Sequence, residues 1–167
     1  MIKGLFWNVR GISKAPKLRR IRKLIQMHNL QFLAICEPWL EVDKAERYTC
    51  KLNFHGLVHN TLGSVWVFFK EPFSGLVIGE SPQHVSVRLS HTHLPGSHLV
   101  VSFVHARCTP EERCVLWDGL LRDNPGSDAW LVDGDFNVIL DAEEKKGVGL
   151  LILWKLRSSS NLLMTPI

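Results

Sequence analysis

No apolar stretch in this sequence is long enough to cross a bilayer. The longest uncharged apolar run, Gly147 to Trp154, falls far short of the about 20 residues a spanning helix requires. The amino terminus, Met1-Ile2-Lys3-Gly4-Leu5-Phe6-Trp7-Asn8, holds no extended apolar core and no small-residue cleavage site, so no secretory signal is expected. The four cysteines (Cys36, Cys50, Cys108, Cys114) form no CxxC pair, and free thiols are expected. Cys108 and Cys114 with His105 nearby lack the close pair and the fourth ligand of a zinc centre. No internal repeat is found. What remains is one soluble, intracellular domain with no membrane contact. Its 46% apolar and 22% charged residues are close to globular averages and argue against disorder.

Acidic residues are absent from positions 1–36, which carry Lys3, Arg10, Lys14, Lys17, Arg19, Arg20, Arg22 and Lys23. The rest of the chain holds 12 basic and 16 acidic residues, a net of −4. Two readings of this asymmetry stand at this point: a polyanionic partner, or a solvated helix face.

The chain alternates strand and helix signals. Gly4 to Val9 is a short apolar run closed by a turn at Gly11. From Lys17 to His28, Leu18, Ile21, Leu24 and Ile25 recur at helical spacing after Pro16, with the basic residues on the other face. Gln31 to Cys36 is a buried strand stopped by Glu37-Pro38. Further strands are expected near Leu52–His59, Ser64–Lys70, Gly75–Gly79, His84–His91 and His98–His105, separated by turn residues. Thr109-Pro110-Glu111-Glu112 predicts a helix start with a capping box, and Cys114, Trp117, Leu120 and Leu121 predict its apolar stripe. Ala129 to Val132 is another buried strand leading into Asp133-Gly134-Asp135-Phe136-Asn137. After Gly147 come an aliphatic run and a serine triplet in which no periodicity holds, and an unstructured ending is expected at Thr165-Pro166-Ile167.

Asn8, Glu37, and Asp135 with Asn137 share one context, the carboxyl end of a buried apolar strand. Such ends are where sheets present ligand-binding groups. Two carboxylates and two carboxamides at one point would suit a hard divalent cation and a phosphate. Taken singly, each residue has a plainer reading as a turn former or a surface charge.

The stretches WNVRGI (Trp7–Ile12), AICEPWL (Ala34–Leu40), VVSFVHA (Val100–Ala106) and VDGDFNVIL (Val132–Leu140) resemble the ordered motifs of the endonuclease/exonuclease/phosphatase family. The likeness is greatest to the apurinic-endonuclease-like domain of LINE-type non-LTR retrotransposons. It covers residues 4 to about 147. The resemblance implies an α/β fold, a four-layer sandwich of two packed, mainly antiparallel sheets flanked by helices. It implies Mg2+- or Mn2+-dependent hydrolysis of phosphodiester bonds, as a DNA-nicking endonuclease. Glu37 would be the principal metal ligand with Asn8 beside it. Asp135 would orient or deprotonate the attacking water, and Asn137 would bind the scissile phosphate. His105 stands where many relatives have Tyr; it would donate to a phosphate oxygen or serve as a core-edge histidine. Arg10, Lys14, Arg19, Arg20 and Lys23 would contact DNA. A nuclear location and the reverse-transcriptase domain of a parent element as partner are implied as well.

The sequence also departs from the family. No Asp follows Asp141 and no His follows His105, so the late Asp and the terminal Asp-His pair have no counterpart. The expectation is a C-terminally truncated domain over residues 1–147 with a non-homologous tail over 148–167. Activity would be impaired and the second sheet would be short of strands. The alternatives are a non-catalytic nucleic-acid-binding remnant or pseudogene product, or a small-phosphoester phosphatase of the same fold.

Overall fold

The structure is a computed structural model that describes residues 2–92, 94–138, 151–156 and 162–166, the last two segments as backbone only. In chain order the elements are β1 (Ile2–Asn8), α1 (Ala15–His28), β2 (Phe32–Cys36), α2 (Ala45–Leu52), β3 (Gly56–His59), β4 (Val65–Phe69) and β5 (Ser74–Ser81). There follow β6 (His84–Ser90), β7 (His98–His105), α3 (Pro110–Asp123), β8 (Trp130–Asp135), β9 (Leu151–Leu156) and β10 (Leu162–Pro166). One sheet has the order β10-β9-β1-β2-β4-β3 and the other β5-β6-β7-β8. Among the described residues, only the pairs β1–β2 and β7–β8 are parallel; the other pairs are antiparallel.

The two-residue period of the strands sorts side chains into layers. In β1 and β2, Ile2, Phe6, Phe32, Ala34 and Cys36 face the second sheet and meet Val85, Val87, Val101, Phe103 and Leu131 in the central core. Phe6 stacks on Phe103 across the gap, with ring centroids 6.4 Å apart. The intervening residues Leu5, Trp7, Leu33 and Ile35 face outward and bury Ile21 and Ile25 of α1 and Tyr48 and Leu52 of α2. On the far side Leu116 and Leu120 of α3 cover Val104 and Ala106. Helices, sheet, sheet and helix make the expected four-layer sandwich.

Three local expectations are corrected. The strand expected from Leu52 is preceded by a helix: Ala45, Tyr48 and Leu52 recur at helical spacing and are the buried residues of α2. The strand starts only at Gly56, after Asn53 closes the helix with a left-handed φ of 59°. Second, the buried residues of α3 are Leu116, Gly119 and Leu120, whereas Trp117 and Leu121 are exposed, Leu121 by 71%. A polar clasp sets that rotation. His84 Nε2 donates to Asp123 Oδ2 (2.8 Å) while its Nδ1 pairs with Ser81 Oγ (2.7 Å). Gly119 leaves room for the ring, since a Cβ there would sit 2.5 Å from His84 Cε1. Third, Thr165 and Pro166, expected in an unstructured ending, belong to β10, which pairs with β9, itself paired antiparallel with β1; Ile167 lies outside the described residues. The edge of β1 offers unpaired backbone groups, and backbone pairing does not depend on a side-chain period.

Candidate active site

The two parallel pairs end side by side: Asn8 lies opposite Cys36 on β1 and β2, and His105 opposite Asp135 on β7 and β8. By strand parity Asn8 follows Phe6, His105 follows Phe103, and Asp135 follows Leu131 and Asp133, all toward the gap between the sheets. Glu37 would by parity follow Ile35 to the outer face. Its left-handed backbone (φ 53°) breaks the alternation. Its N–H donates to the Ser64 carbonyl (2.9 Å), and its carbonyl accepts from Gly11 N–H (2.7 Å).

Asn8 Nδ2 donates to Glu37 Oε1 (2.7 Å) and to Asp135 Oδ2 (2.9 Å). Carboxylates can only accept, so the amide nitrogen must face them. Asn8 Oδ1 is buried with no hydrogen-bond partner. His105 Nε2 lies 3.5 Å from Glu37 Oε1, and both side chains retain roughly a quarter of their exposure (24% and 22%). Asp135 Oδ1 accepts from Asn137 N–H (3.0 Å). Asn137 holds a φ of 49°, and its Nδ2 donates to the Ala106 carbonyl (2.6 Å). Its own carbonyl accepts from Arg113 (3.3 Å). The side chain of Asn137 therefore ties the loop to the end of β7 while its backbone orients Asp135. Gly134 is demanded by close approach, because a Cβ would fall 2.2 Å from the Val104 carbonyl oxygen. Burial, reinforced by the charges of Glu37 and Asp135, holds the Cys36 thiol well above its ordinary range.

Asn8, Glu37, His105 and Asp135 thus converge, with Asn137 adjoining them. Arg10, Lys14, Arg19, Arg20 and Lys23 are all exposed. Arg10 and Lys14 lie in the connection from β1 to α1, next to this pole. Arg19, Arg20 and Lys23 lie further along α1, and the Arg20 guanidinium sits 5.1 Å over the Trp7 ring.

Two supporting residues escaped the sequence reading. Asn60 is fully buried. It donates to Ser64 Oγ (3.0 Å) and the Pro82 carbonyl (2.9 Å) and accepts from Val65 N–H (3.0 Å). This locks the turn whose Ser64 carbonyl positions Glu37. Gln83 accepts from Arg107 N–H (2.7 Å) and donates to the Glu112 carbonyl (2.9 Å), and its carbonyl accepts from His105 N–H (2.8 Å). In the sequence both look like ordinary turn residues.

Among the described residues, no three His, Cys, Asp or Glu side chains are grouped to hold a metal by themselves. The donor set is two carboxylates and an orphaned amide oxygen, all hard ligands. That suits Mg2+, which is typically held by one or two carboxylates with water and substrate phosphate completing the shell.

No protein-family model and no curated protein matches the sequence. Solved structures do match. D. rerio TDP2 complexed with a single-strand DNA product superimposes at a TM-score of 0.63 with 15% identity, over 86% of this chain and 63% of that one. The endonuclease domain of TRAS1, a telomere-specific non-LTR retrotransposon, gives 0.62 with 10% identity over 83% and 62%. An endonuclease/exonuclease/phosphatase family protein from Bacteroides thetaiotaomicron gives 0.53 with 10% identity over 82% and 62%. The chain therefore has the endonuclease/exonuclease/phosphatase fold, and it spans a little under two thirds of the length of these structures.

Proposed function

We propose that this chain is a phosphodiesterase domain of the DNA-nicking type, dependent on Mg2+ or Mn2+. The observation that carries the reading is the Asn8 amide shared by Glu37 and Asp135. It draws two carboxylates from different sheets to one point, with no Lys or Arg paired to either among the described residues. A cation there would be held by Glu37 and Asn8, and it would supply positive charge against the phosphoryl oxygens. Asp135 accepts a proton from the attacking water, His105 Nε2 donates to a phosphate oxygen, and Asn137 binds the scissile phosphate as well as bracing Asp135. Attack forms the new P–O bond as the ester P–O bond breaks and the leaving oxygen takes a proton.

Exposed Arg10, Lys14, Arg19, Arg20 and Lys23 suit DNA better than a small phosphoester. The TRAS1 likeness supports a retroelement origin; on that reading a reverse-transcriptase domain would be the partner, residues 1–147 the homologous unit and 148–167 a tail of other origin. A second reading, a non-catalytic nucleic-acid-binding remnant, rests on the exposed cations Arg19, Arg20 and Lys23 of α1 alone. Plasmid nicking with and without Mg2+ decides between them. Metal-dependent nicks lost in Asp135→Asn support hydrolysis; DNA binding with no nicks supports the remnant.

A further inference from the structure

Trp39 is 67% exposed, yet the chain holds it in a tightly specified place. Three backbone bonds continue the β1–β2 pairing past the strand ends: Val9 N–H to the Cys36 carbonyl (2.9 Å), Gly11 N–H to Glu37 (2.7 Å) and Ile12 N–H to Pro38 (3.0 Å). Within this lacing Arg10, Gly11, Glu37 and Trp39 all have left-handed φ values (45°, 90°, 53° and 53°). That conformation is strained for a bulky residue and persists only where the surroundings impose it. The indole lies against Gly11, where a Cβ would stand 2.9 Å from Trp39 Cε3. A side chain at position 11 would therefore displace the ring. Trp39 belongs to none of the three apolar clusters, so packing of the core does not explain its placement. One part of the ring rests on bare backbone and most of the rest is open to water. Exposed Arg10 lies in the same lacing, and exposed Lys14 follows four residues on. Lys17 Nζ is anchored on the Val9 and Arg10 carbonyls. Trp39 itself is two residues from Glu37.

We propose that Trp39 is a stacking platform for an unpaired nucleobase of the strand whose phosphate lies at Glu37 and Asp135. This rests on the phosphodiesterase reading and narrows its substrate class to DNA with a single-stranded or unstacked nucleotide beside the scissile bond. A rigid aromatic face flanked by cations is what single strands bind, because every base offers a π face and every linkage a charge. A fully stacked duplex has no free base face to offer.

The test uses the 167-residue chain in EDTA, so that binding is read without cleavage. The probes are a short single strand carrying a fluorescent purine analogue and the fully paired duplex of the same sequence. Trp39→Ala should weaken single-strand binding by on the order of ten-fold and abolish quenching of the analogue. Trp39→Phe should retain most of both, and duplex binding should stay within about two-fold. The salt dependence should be unchanged in Trp39→Ala and reduced in Arg10→Gln, since stacking releases no counterions. Equal losses on both probes, or no loss on either, overturn the platform. Asp135-dependent nicking with unaltered Trp39→Ala binding overturns the platform alone. A clear Trp39 effect without nicking overturns hydrolysis alone.

Discussion

Asn8 is the residue on which the site turns. A neutral carboxamide, buried at a strand end, keeps two carboxylates within hydrogen-bond reach of one nitrogen. Their charges nevertheless still call for a cation. Glu37→Gln removes one of the two and should weaken Mg2+ binding at least several-fold in calorimetric titration; an unchanged isotherm removes Glu37 from the metal site. The same pair of charges acts on Cys36 behind them. Burial first, then Glu37 and Asp135, raise the thiol's pKa in the folded chain, against about 8.5 when unfolded. A raised folded value means that the native state keeps a proton the unfolded chain loses. The stability this contributes is complete below about pH 8.5 and declines above it, by at most about 1.4 kcal/mol per pH unit. Denaturation midpoints should fall more steeply above about pH 8.5 in the wild type than in Cys36→Ala; parallel curves contradict the assignment. Disulfide reagents should modify exposed Cys50, Cys108 and Cys114 in the native protein and reach Cys36 only on unfolding.

At the scale of elements, the helix ends behave as their sequences dictate, though not in every detail. Thr109 Oγ1 accepts from Glu112 N–H (3.3 Å) as an N-cap should. The Glu112 carboxylate, however, takes the Thr109 hydroxyl (2.8 Å). Thr109→Ala should lower stability by about 1 kcal/mol, read by chemical denaturation. Helix α1 opens with no acidic residue in its first turn, the reverse of what the helix dipole favours. Its first turn therefore gains nothing from the dipole. Replacing Arg19, Arg20 and Lys23 by Gln should flatten the salt dependence of DNA binding by about one unit per lost phosphate contact. A slope that does not move makes α1 a solvated face, with Arg20 serving only to cover Trp7.

For the molecule as a whole, the two sheets meet through a continuous core, while the outer face of α3 is left apolar and open. Trp117 stacks on Phe136 (centroids 5.9 Å apart) and stays 41% exposed, with Leu121 one turn on. A hydrophobic dye should therefore bind the folded 167-residue chain, and Leu121→Gln with Trp117→Gln should lower its emission markedly. Unchanged emission would place the dye elsewhere.

Much of this was legible in the residues. A run between turn residues located β7 at His98–His105 with no shift, the helical spacing of Leu18, Ile21, Leu24 and Ile25 located α1, and apolar runs ending in Asn8, Glu37 and Asp135 marked the candidate site. These signals are local: they depend on one strand's pleat or one helix's turn, and a single sequence records them directly. The rotation of α3 was not legible, because a buried Ser81–His84–Asp123 clasp outweighed the more apolar stripe of Trp117 and Leu121, and Asp123 lies 39 residues from His84 in the chain. Nor could spacing reveal that Glu37 would turn inward against its strand's alternation. That depends on a left-handed backbone held by Ser64 and Gly11, and the turn bearing Ser64 is itself locked by Asn60. The sequence by itself determined which residues could do the chemistry and which strand each would end. Only the tertiary structure decided that Asn8 would join Glu37 to Asp135, because hydrogen bonds across two sheets form only when the core between them has set their separation.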